Sequence, residues 1–236
     1  MRVNVYLIVL VILAQYCFGQ KKTYGKEFSL ISQAYANAQN FSSDVIVYSY
    51  KEKNQQKGDI QGTGMIRKAD KNYYSKFKGE ELIANNHCAV IIDSSDREVT
   101  YFGEAKGNIG DPFSMAKIDS IMRRQDSVVY AGMKDGLEHY IFYNKNSVML
   151  RVDMYAGATD HFIKRLTYYY APSDKKNSYD MYKMDIYYNN IRTDKVDNGF
   201  FSEKKVLTFK SGKPYLQGKY RSFKLTIADK YQPPTQ

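Results

Sequence analysis

The chain of 236 residues has no tryptophan and only two cysteines, three histidines and five prolines. His87, His139 and His161 do not stand at a metal-ligand spacing or beside a second cysteine, which excludes the common zinc-binding patterns. Cys88 begins the apolar segment Cys88–Asp93, which predicts a buried, unreactive thiol. We therefore expect no metal site and no disulfide framework, so that stability must come from an apolar core.

Motifs of familiar enzyme classes are also missing. There is no Gly-x-Ser-x-Gly nucleophile motif, and the glycine-containing segment Gly103–Gly110 lacks the Gly-Lys-Ser/Thr ending of a phosphate-binding loop. Carboxylates such as Asp180, Asp185 and Asp194 are scattered, which predicts solvated partners of lysine. We expect no catalysis and no cofactor; a hydrolase would require a cleft with clustered, pKa-perturbed groups.

A dense basic block is absent, although the net charge is +10, from 35 Lys and Arg against 25 Asp and Glu. Residues of both signs are mixed along most segments, as in Arg67–Lys78 followed by Glu80 and Glu81. Nucleic-acid binding needs a concentrated basic surface or a recognition motif. The charge is that of lysine-rich, solvated sheet faces, and no nucleic-acid partner is expected.

Aromatic residues are abundant, with 23 tyrosines and 12 phenylalanines. Aromatic side chains fit the pleated, half-buried surface of a sheet better than they fit a helix. A tyrosine can cover apolar surface with its ring and keep its hydroxyl in water. The composition therefore favours a β protein.

The first nineteen residues have the pattern of a cleavable signal peptide. Arg2 precedes the apolar run Val5–Ala14, and Cys17 and Gly19 place small residues at the −3 and −1 positions of a cleavage site after Gly19. A lipoprotein anchor on Cys17 is disfavoured because the preceding Tyr16 is bulky. Export without disulfides favours a bacterial periplasm.

The remaining chain shows no linker, so residues 20–230 are predicted to form one domain, followed by a loose tail at 231–236. Apolar residues three or four apart predict a helix over Lys26–Phe41, and a second helix is predicted from Asp111 to Arg124. Short apolar runs between turn residues predict strands elsewhere. These strands are Asp44–Tyr50, Ile60–Arg67, Asn72–Lys78, Glu81–Asn85, Cys88–Asp93, Glu98–Gly103, Ser127–Met133, Leu137–Asn144, Ser147–Tyr155, Phe162–Tyr170, Tyr179–Asn189, Val206–Lys210 and Ser222–Ala228.

Two of these strands alternate clearly between apolar and charged residues. Arg151, Asp153, Lys183 and Asp185 occupy the face predicted to be wet. The dry face is the candidate ligand-binding surface, although apolar strand faces more often form a permanent core, and both interpretations stay open. Its members are Val148, Leu150, Val152, Met154, Tyr182, Met184, Ile186 and Tyr188.

The predicted fold class is α+β and mostly antiparallel β. About twelve strands are too many for a flat sheet, so we expect a strongly curved, unclosed β-barrel covered by the two helices. Each helix must bury its apolar stripe, which predicts that both lie across a sheet face.

The order of helix, strands, helix and strands resembles the LolA-like fold of periplasmic lipoprotein carriers. The resemblance rests on the first helix and on Gly62–Gly64, Tyr73–Tyr74, Asn85–Asn86, Cys88–Asp93 and Phe200–Glu203 before Val206. It implies an unclosed barrel with an apolar interior for an acyl chain. The arginine through which those carriers manage release is not identified in this sequence.

Two functions follow as expectations. The first is an exported, monomeric, non-enzymatic protein that shelters a lipid, a lipoprotein acyl chain or another apolar segment, with transient membrane contact. The alternative is an interaction subunit of an envelope or secretion assembly, whose interior is solid and whose surface binds a partner protein. An apolar cavity beneath the helices favours the first, and a filled interior favours the second.

Overall fold

The computed structural model describes residues 25–103, 127–144, 148–171 and 181–228. The predicted signal peptide, the second predicted helix and the predicted loose tail lie outside these residues. Within them, the chain forms one α-helix, α1 (Gly25–Asn37), and fourteen strands. In this part of the chain, no helix combines the length and apolar character needed to cross a membrane.

Twelve strands form one large sheet, in the order β14-β6-β5-β4-β3-β2-β1-β11-β10-β9-β8-β7. The strands are β1 (Asn40–Tyr50), β2 (Asp59–Ala69), β3 (Asn72–Phe77), β4 (Glu80–Ala84), β5 (Ala89–Asp93), β6 (Glu98–Phe102), β7 (Ser127–Lys134), β8 (Leu137–Tyr143), β9 (Met149–Gly157), β10 (Ile163–Tyr170), β11 (Lys183–Arg192), β12 (Leu207–Lys210), β13 (Lys213–Leu216) and β14 (Lys224–Ala228). As described, the sheet is not closed, because β14 and β7 form its two edges. The predicted fold class, mostly antiparallel and unclosed, is confirmed.

Register shifts occur where β1 meets β2 and β11, and along β7 and β9. Each shift places an extra residue in one strand, which bends the strand and increases its twist. Together with the twist that accumulates over twelve strands, these irregularities curve the sheet.

The C-terminal part of the chain differs from the predicted strands. Three short 3₁₀ helices, Asn198–Phe201, Glu203–Lys205 and Gly218–Tyr220, flank a separate two-stranded sheet of β12 and β13. The sequence prediction missed β13. The last strand, β14, pairs parallel to β6, with Leu225 opposite Val99. The parallel pairing arises because the segment between β11 and β14 crosses the sheet before β14 reaches the edge.

The hydrophobic core is divided between the two faces of the sheet. The face that carries α1, here called the helix face, buries Ile31 and Tyr35 of the helix against β8, β9 and β10. The other face is here called the opposite face. On it, residues 193–223 between β11 and β14, here called the C-terminal segment, cover β2 to β6. The buried residues of this second cluster are Ala69, Tyr74, Ile83, Cys88, Val90, Ile92, Val99, Val196, Phe201, Val206, Leu207 and Tyr220. Helix α1 and the C-terminal segment thus cover different halves of the sheet on different sides, and Ala84, Ala89 and Phe102 form a third buried cluster on the helix face of β4, β5 and β6.

Tyr35 joins α1 to the sheet. Its ring packs edge-on against Phe162, with ring centroids 5.0 Å apart. The same ring is tilted against Phe41, with ring centroids 5.2 Å apart. Its hydroxyl oxygen accepts a hydrogen bond from the backbone N–H of Ile163 at 3.2 Å. Ile31 and Tyr35, which belong to the apolar stripe predicted for this helix, are therefore buried as expected.

Candidate functional site

Two rows of side chains cross the middle of the helix face. In one row Val152, Tyr168 and Met184 are direct cross-strand neighbours on β9, β10 and β11. In the next row Met154 and Ile186 flank Leu166 in the same way. Direct neighbours across a sheet point to the same side. The rows therefore form one continuous apolar surface, here called the apolar rows.

The cover over the apolar rows is uneven. Met154 is buried, whereas Val152, Leu166, Met184 and Ile186 are only partly buried. Val152 and Leu166 pack against the cluster that contains α1. The rows thus extend from the helix-covered core toward a part of the sheet where the side chains keep some access to solvent.

Two tyrosines lie on this face: Tyr168 within the apolar rows and Tyr188 on β11. Burial raises the pKa of Tyr168 to about 12, and burial likewise raises the pKa of Tyr188 above its usual range. Both hydroxyls stay protonated at neutral pH. The surface around the apolar rows therefore carries no charge from these two groups.

The eight candidate ligand-binding residues do not all share this surface. Five lie on the helix face: Val152, Met154, Met184, Ile186 and Tyr188. Val148 precedes β9 and is 50% exposed, and a register shift at Leu150, which is 37% exposed, interrupts the alternation. Tyr182 precedes β11, and its ring packs edge-on against Tyr169, with centroids 6.0 Å apart. The ligand-binding role of all eight candidate residues stays a prediction.

The opposite face of the same strands carries a network of charged and aromatic residues around Asp153. This carboxylate is 1% exposed and accepts a hydrogen bond from Arg151 Nη2 at 2.6 Å. His139 Nε2 lies 3.0 Å from Asp153 Oδ2. The hydrogen bond with Asp153 holds the pKa of Arg151 above its usual range. A buried carboxylate needs such partners, because an unpaired charge would be costly to bury.

Asp185 repeats this arrangement on the neighbouring strands. It is 4% exposed, accepts a hydrogen bond from the Thr167 hydroxyl at 2.7 Å and lies 3.2 Å from Lys183 Nζ. A tyrosine contacts each carboxylate: the Tyr155 hydroxyl lies 3.4 Å from Asp153 Oδ2, and Tyr50 is hydrogen-bonded to Asp185. The prediction that Asp185 is a solvated partner of lysine is therefore wrong in one respect. The lysine contact is present, but neighbouring side chains exclude water from the carboxylate.

His139 is a buried strand residue. Its ring stacks on Tyr155 at 4.3 Å with nearly parallel planes, and the ring is 7% exposed. Sequence reasoning placed it on a strand but not beside Asp153, because the two residues lie on different strands. In the part of the chain that the structure describes, no three His, Cys, Asp or Glu side chains converge on a possible metal position.

Cys88 lies in the second core cluster and is 2% exposed. Burial, with a smaller effect of the charge of Glu203, raises the pKa of its thiol to about 12. A thiol of this kind is protonated at physiological pH and is a poor nucleophile. The sequence prediction of a buried Cys88 is confirmed.

Two open cavities lie on the opposite face. The larger has a volume of about 410 Å³ and lies between β1, β11 and the β1–β2 loop. The smaller, of about 200 Å³, is lined by polar and charged residues of both signs, among them Asp44, Arg67 and Arg192. Asp44 pairs with Arg67 at 3.0 Å, and its pKa is lowered chiefly by a hydrogen bond from Asn190. Sequence reasoning did not predict either cavity.

Comparison with known proteins finds no matching family model and no matching curated protein. Several solved structures are distantly similar. An uncharacterized conserved protein from Thermus thermophilus is 5% identical, with a TM-score of 0.48, over 88% of this chain and 100% of that one. The LolA superfamily protein NE2245 from Nitrosomonas europaea is 8% identical, with a TM-score of 0.36, over 78% of this chain and 99% of that one.

A structure of the MucA/MucB complex from Pseudomonas aeruginosa is also similar. It is 7% identical, with a TM-score of 0.33, over 71% of this chain and 56% of that one. At these identities the similarity does not assign a ligand or a partner to this chain. A solved LolA superfamily protein is thus among the structures to which this chain is distantly similar, as the order of its elements suggested.

Proposed function

We propose that this chain is an exported, non-enzymatic protein of the bacterial cell envelope that binds an apolar ligand, such as a lipid or lipoprotein acyl chain, on its helix face. The apolar rows carry the proposal. Val152, Met184 and Ile186 lie in a continuous apolar surface and are only partly buried. Such a surface gains free energy when a guest removes it from water, by about 25 cal/mol per Å² of apolar area.

The chemistry of the rows fits a flexible chain better than a rigid ring. Met184 has an unbranched, polarizable side chain that adapts to the shape of its neighbours. Tyr168 and Tyr188 keep their protons at neutral pH, so an uncharged acyl chain would meet no tyrosinate charge. No cofactor enters this function.

A binding assay with an apolar fluorescent dye tests the proposal. The purified protein is titrated with 1-N-phenylnaphthylamine and then with palmitate as a competitor. Ile186→Asn places an amide in the apolar rows, and we expect the dye to bind about ten-fold more weakly. The matched control is Ile141→Asn, because Ile141 is also partly buried but pairs with Asp153 on the opposite face.

The control should bind the dye like the unchanged protein. Equal weakening in both variants, or no fluorescence response in the unchanged protein, would contradict the proposal. Urea denaturation of both variants separates loss of binding from loss of folding.

A second function, an interaction subunit of an envelope assembly, is favoured by the edge strand β7. Two of its apolar side chains are exposed: Val129 at 42% and Met133 at 55%. Exposed apolar residues on an edge strand suit pairing with a partner protein. This function gains support if the dye does not bind and Met133→Lys abolishes co-purification with an envelope protein.

A further inference from the structure

The larger cavity of the opposite face has three tyrosines, Tyr48, Tyr50 and Tyr187, in its lining and is here called the tyrosine cavity. Its volume of about 410 Å³ lies within the range of roughly 300–1,000 Å³ that is typical of small-ligand sites. The lining residues are Ile46, Tyr48, Tyr50, Gln56, Lys57, Gly58, Tyr187 and Asn189. This cavity has no part in the function proposed above, because it lies on the other side of the sheet from the apolar rows.

The floor of the tyrosine cavity is held in place by contacts within the sheet. Ile46 and Tyr187 are direct cross-strand neighbours. The rings of Tyr48 and Tyr187 meet edge to face, with centroids 5.7 Å apart and planes at 89°. Arg165 flanks Tyr187 with its guanidinium carbon 5.8 Å from the ring centroid. Rings fixed in this way lose little conformational entropy when a ligand binds.

Tyr50 is fixed by charged neighbours. The Lys183 ammonium lies 3.7 Å from its ring centroid. Burial and then the charge and hydrogen bond of Asp185 raise the pKa of Tyr50 to about 12. The hydroxyl therefore stays a neutral hydrogen-bonding group.

The β1–β2 loop forms the wall of the cavity. Gln55 shapes this loop: its side chain accepts a hydrogen bond from the Lys51 N–H and donates one to the Lys57 carbonyl, both at 2.8 Å. Gly58 then brings the backbone against the rings. A Cβ at this position would stand 2.7 Å from Tyr50 Cζ and 3.0 Å from Tyr48 Cβ. Only glycine permits so close an approach without displacing the Tyr50 ring.

The charges and hydrogen-bonding groups of the cavity restrict the ligand class. Among the described residues of the lining none is acidic, which disfavours a cationic ligand. Gln56, Lys57 and Asn189 are exposed at the rim and supply donors and acceptors. An acyl chain would leave the polar groups of Gln56, Lys57 and Asn189 without hydrogen bonds where it displaced their water.

A pyranose sugar matches both parts of the cavity. One side of a pyranose ring presents C–H groups, which pack on aromatic faces by dispersion, and its edge presents hydroxyls. We propose that the tyrosine cavity binds a pyranose ring of a glycan, whose C–H groups pack against the two perpendicular rings of Tyr48 and Tyr187, one on a face and one on an edge of the sugar. Gln56, Lys57 and Asn189 bind the hydroxyls at the edge.

Methyl NMR at Ile46 tests this inference. The full protein, with labelled isoleucine methyls, is titrated with cellotetraose and with chitotetraose. We expect at least one of them to shift the Ile46 methyl signal with a Kd of about 1 mM or below. Tyr48→Ala or Tyr187→Ala should weaken binding by at least about ten-fold. Tyr215→Ala is the control, since Tyr215 is 46% exposed on β13, and it should bind as the unchanged protein does.

Two further variants keep the test decisive if removal of a ring prevents folding. Gln56→Ala and Lys57→Ala change exposed loop side chains, and each should weaken sugar binding by about five-fold, the effect of one lost hydrogen bond. An Ile46 methyl that neither sugar shifts, or sugar binding that survives all four cavity variants, would overturn the inference. A methyl shifted by palmitate but by neither sugar would overturn it too, and would assign the cavity to an apolar ligand.

Discussion

Asp153 is a buried charge whose partners lie within hydrogen-bonding distance. Arg151 binds both of its carboxylate oxygens, and His139 lies at 3.0 Å. A buried pair of this kind adds little net stability over an apolar pair of the same size. Removing one partner is costly, because the other charge then stays uncompensated.

We expect Asp153→Asn to lower the free energy of unfolding by about 2 kcal/mol, since the Arg151 guanidinium, whose side chain is 34% exposed, keeps part of its hydration but loses its hydrogen bonds to a carboxylate. Urea denaturation at neutral pH measures the change. Asp160→Asn is the matched control: its carboxylate pairs with Lys164 at 2.6 Å, but its side chain is 42% exposed. An exposed pair should contribute less than about 1 kcal/mol. Similar losses in both variants would show that burial does not distinguish the two aspartates.

At the scale of elements, the sheet is stabilised by two covers that act on different halves and different faces. Helix α1 packs on β8 to β10 through Ile31 and Tyr35. The C-terminal segment packs on β2 to β6 through residues such as Val206 and Leu207. Asn85 ties this segment to the turn before β5, because its side-chain amide donates to the Phe201 carbonyl at 3.0 Å and to Glu203 at 2.7 Å.

The small β12–β13 sheet should therefore matter to stability far beyond its size. Leu207 is 1% exposed, and Leu207→Ala should lower the free energy of unfolding by about 2–5 kcal/mol through lost burial and a cavity. Lys210→Ala, on an exposed residue of the same strand, should change it by less than about 0.5 kcal/mol. Thermal unfolding followed by circular dichroism compares the two. A Leu207→Ala protein as stable as the control would mean that the C-terminal segment does not contribute to the core.

The whole molecule is rich in tyrosines whose hydroxyls are partly withdrawn from water. Burial is the largest cause that raises the pKa of Tyr50, Tyr168 and Tyr169 to about 12, against about 10 in an unfolded chain. Between these values the unfolded chain loses protons that the folded protein keeps. The contribution of these hydroxyls to stability is complete below about pH 10 and is lost as the pH rises toward about 12.

We therefore expect urea midpoints to fall steeply above about pH 10, together with a rise in tyrosinate absorbance as the protein unfolds. Tyr168→Phe removes one hydroxyl with a raised pKa and should make the fall shallower. Tyr215→Phe, on the exposed ring of β13, is the control and should leave the slope unchanged. A urea midpoint that is constant over this pH range would contradict the raised pKa values of these tyrosines.

Much of this fold could be predicted from the residues alone, since the relevant signals are local. The alternation in β9 and β11 puts Met154, Ile186 and Tyr188 on one face because successive strand residues point to opposite sides. The stripe through Ile31 and Tyr35 predicts α1 in the same way. The prediction weakens where the strand is irregular, as at Leu150, because a register shift depends on the neighbouring strand.

No local sequence pattern shows which residues far apart in the chain contact each other. The apolar and charged faces, the strands and the first helix follow from side-chain periodicity. The burial of Asp153 and Asp185, the parallel pairing of β14 and the tyrosine cavity come from contacts between segments far apart in the chain. Periodicity tells which side of a strand a residue takes, whereas packing in three dimensions determines what covers that side and whether water reaches it.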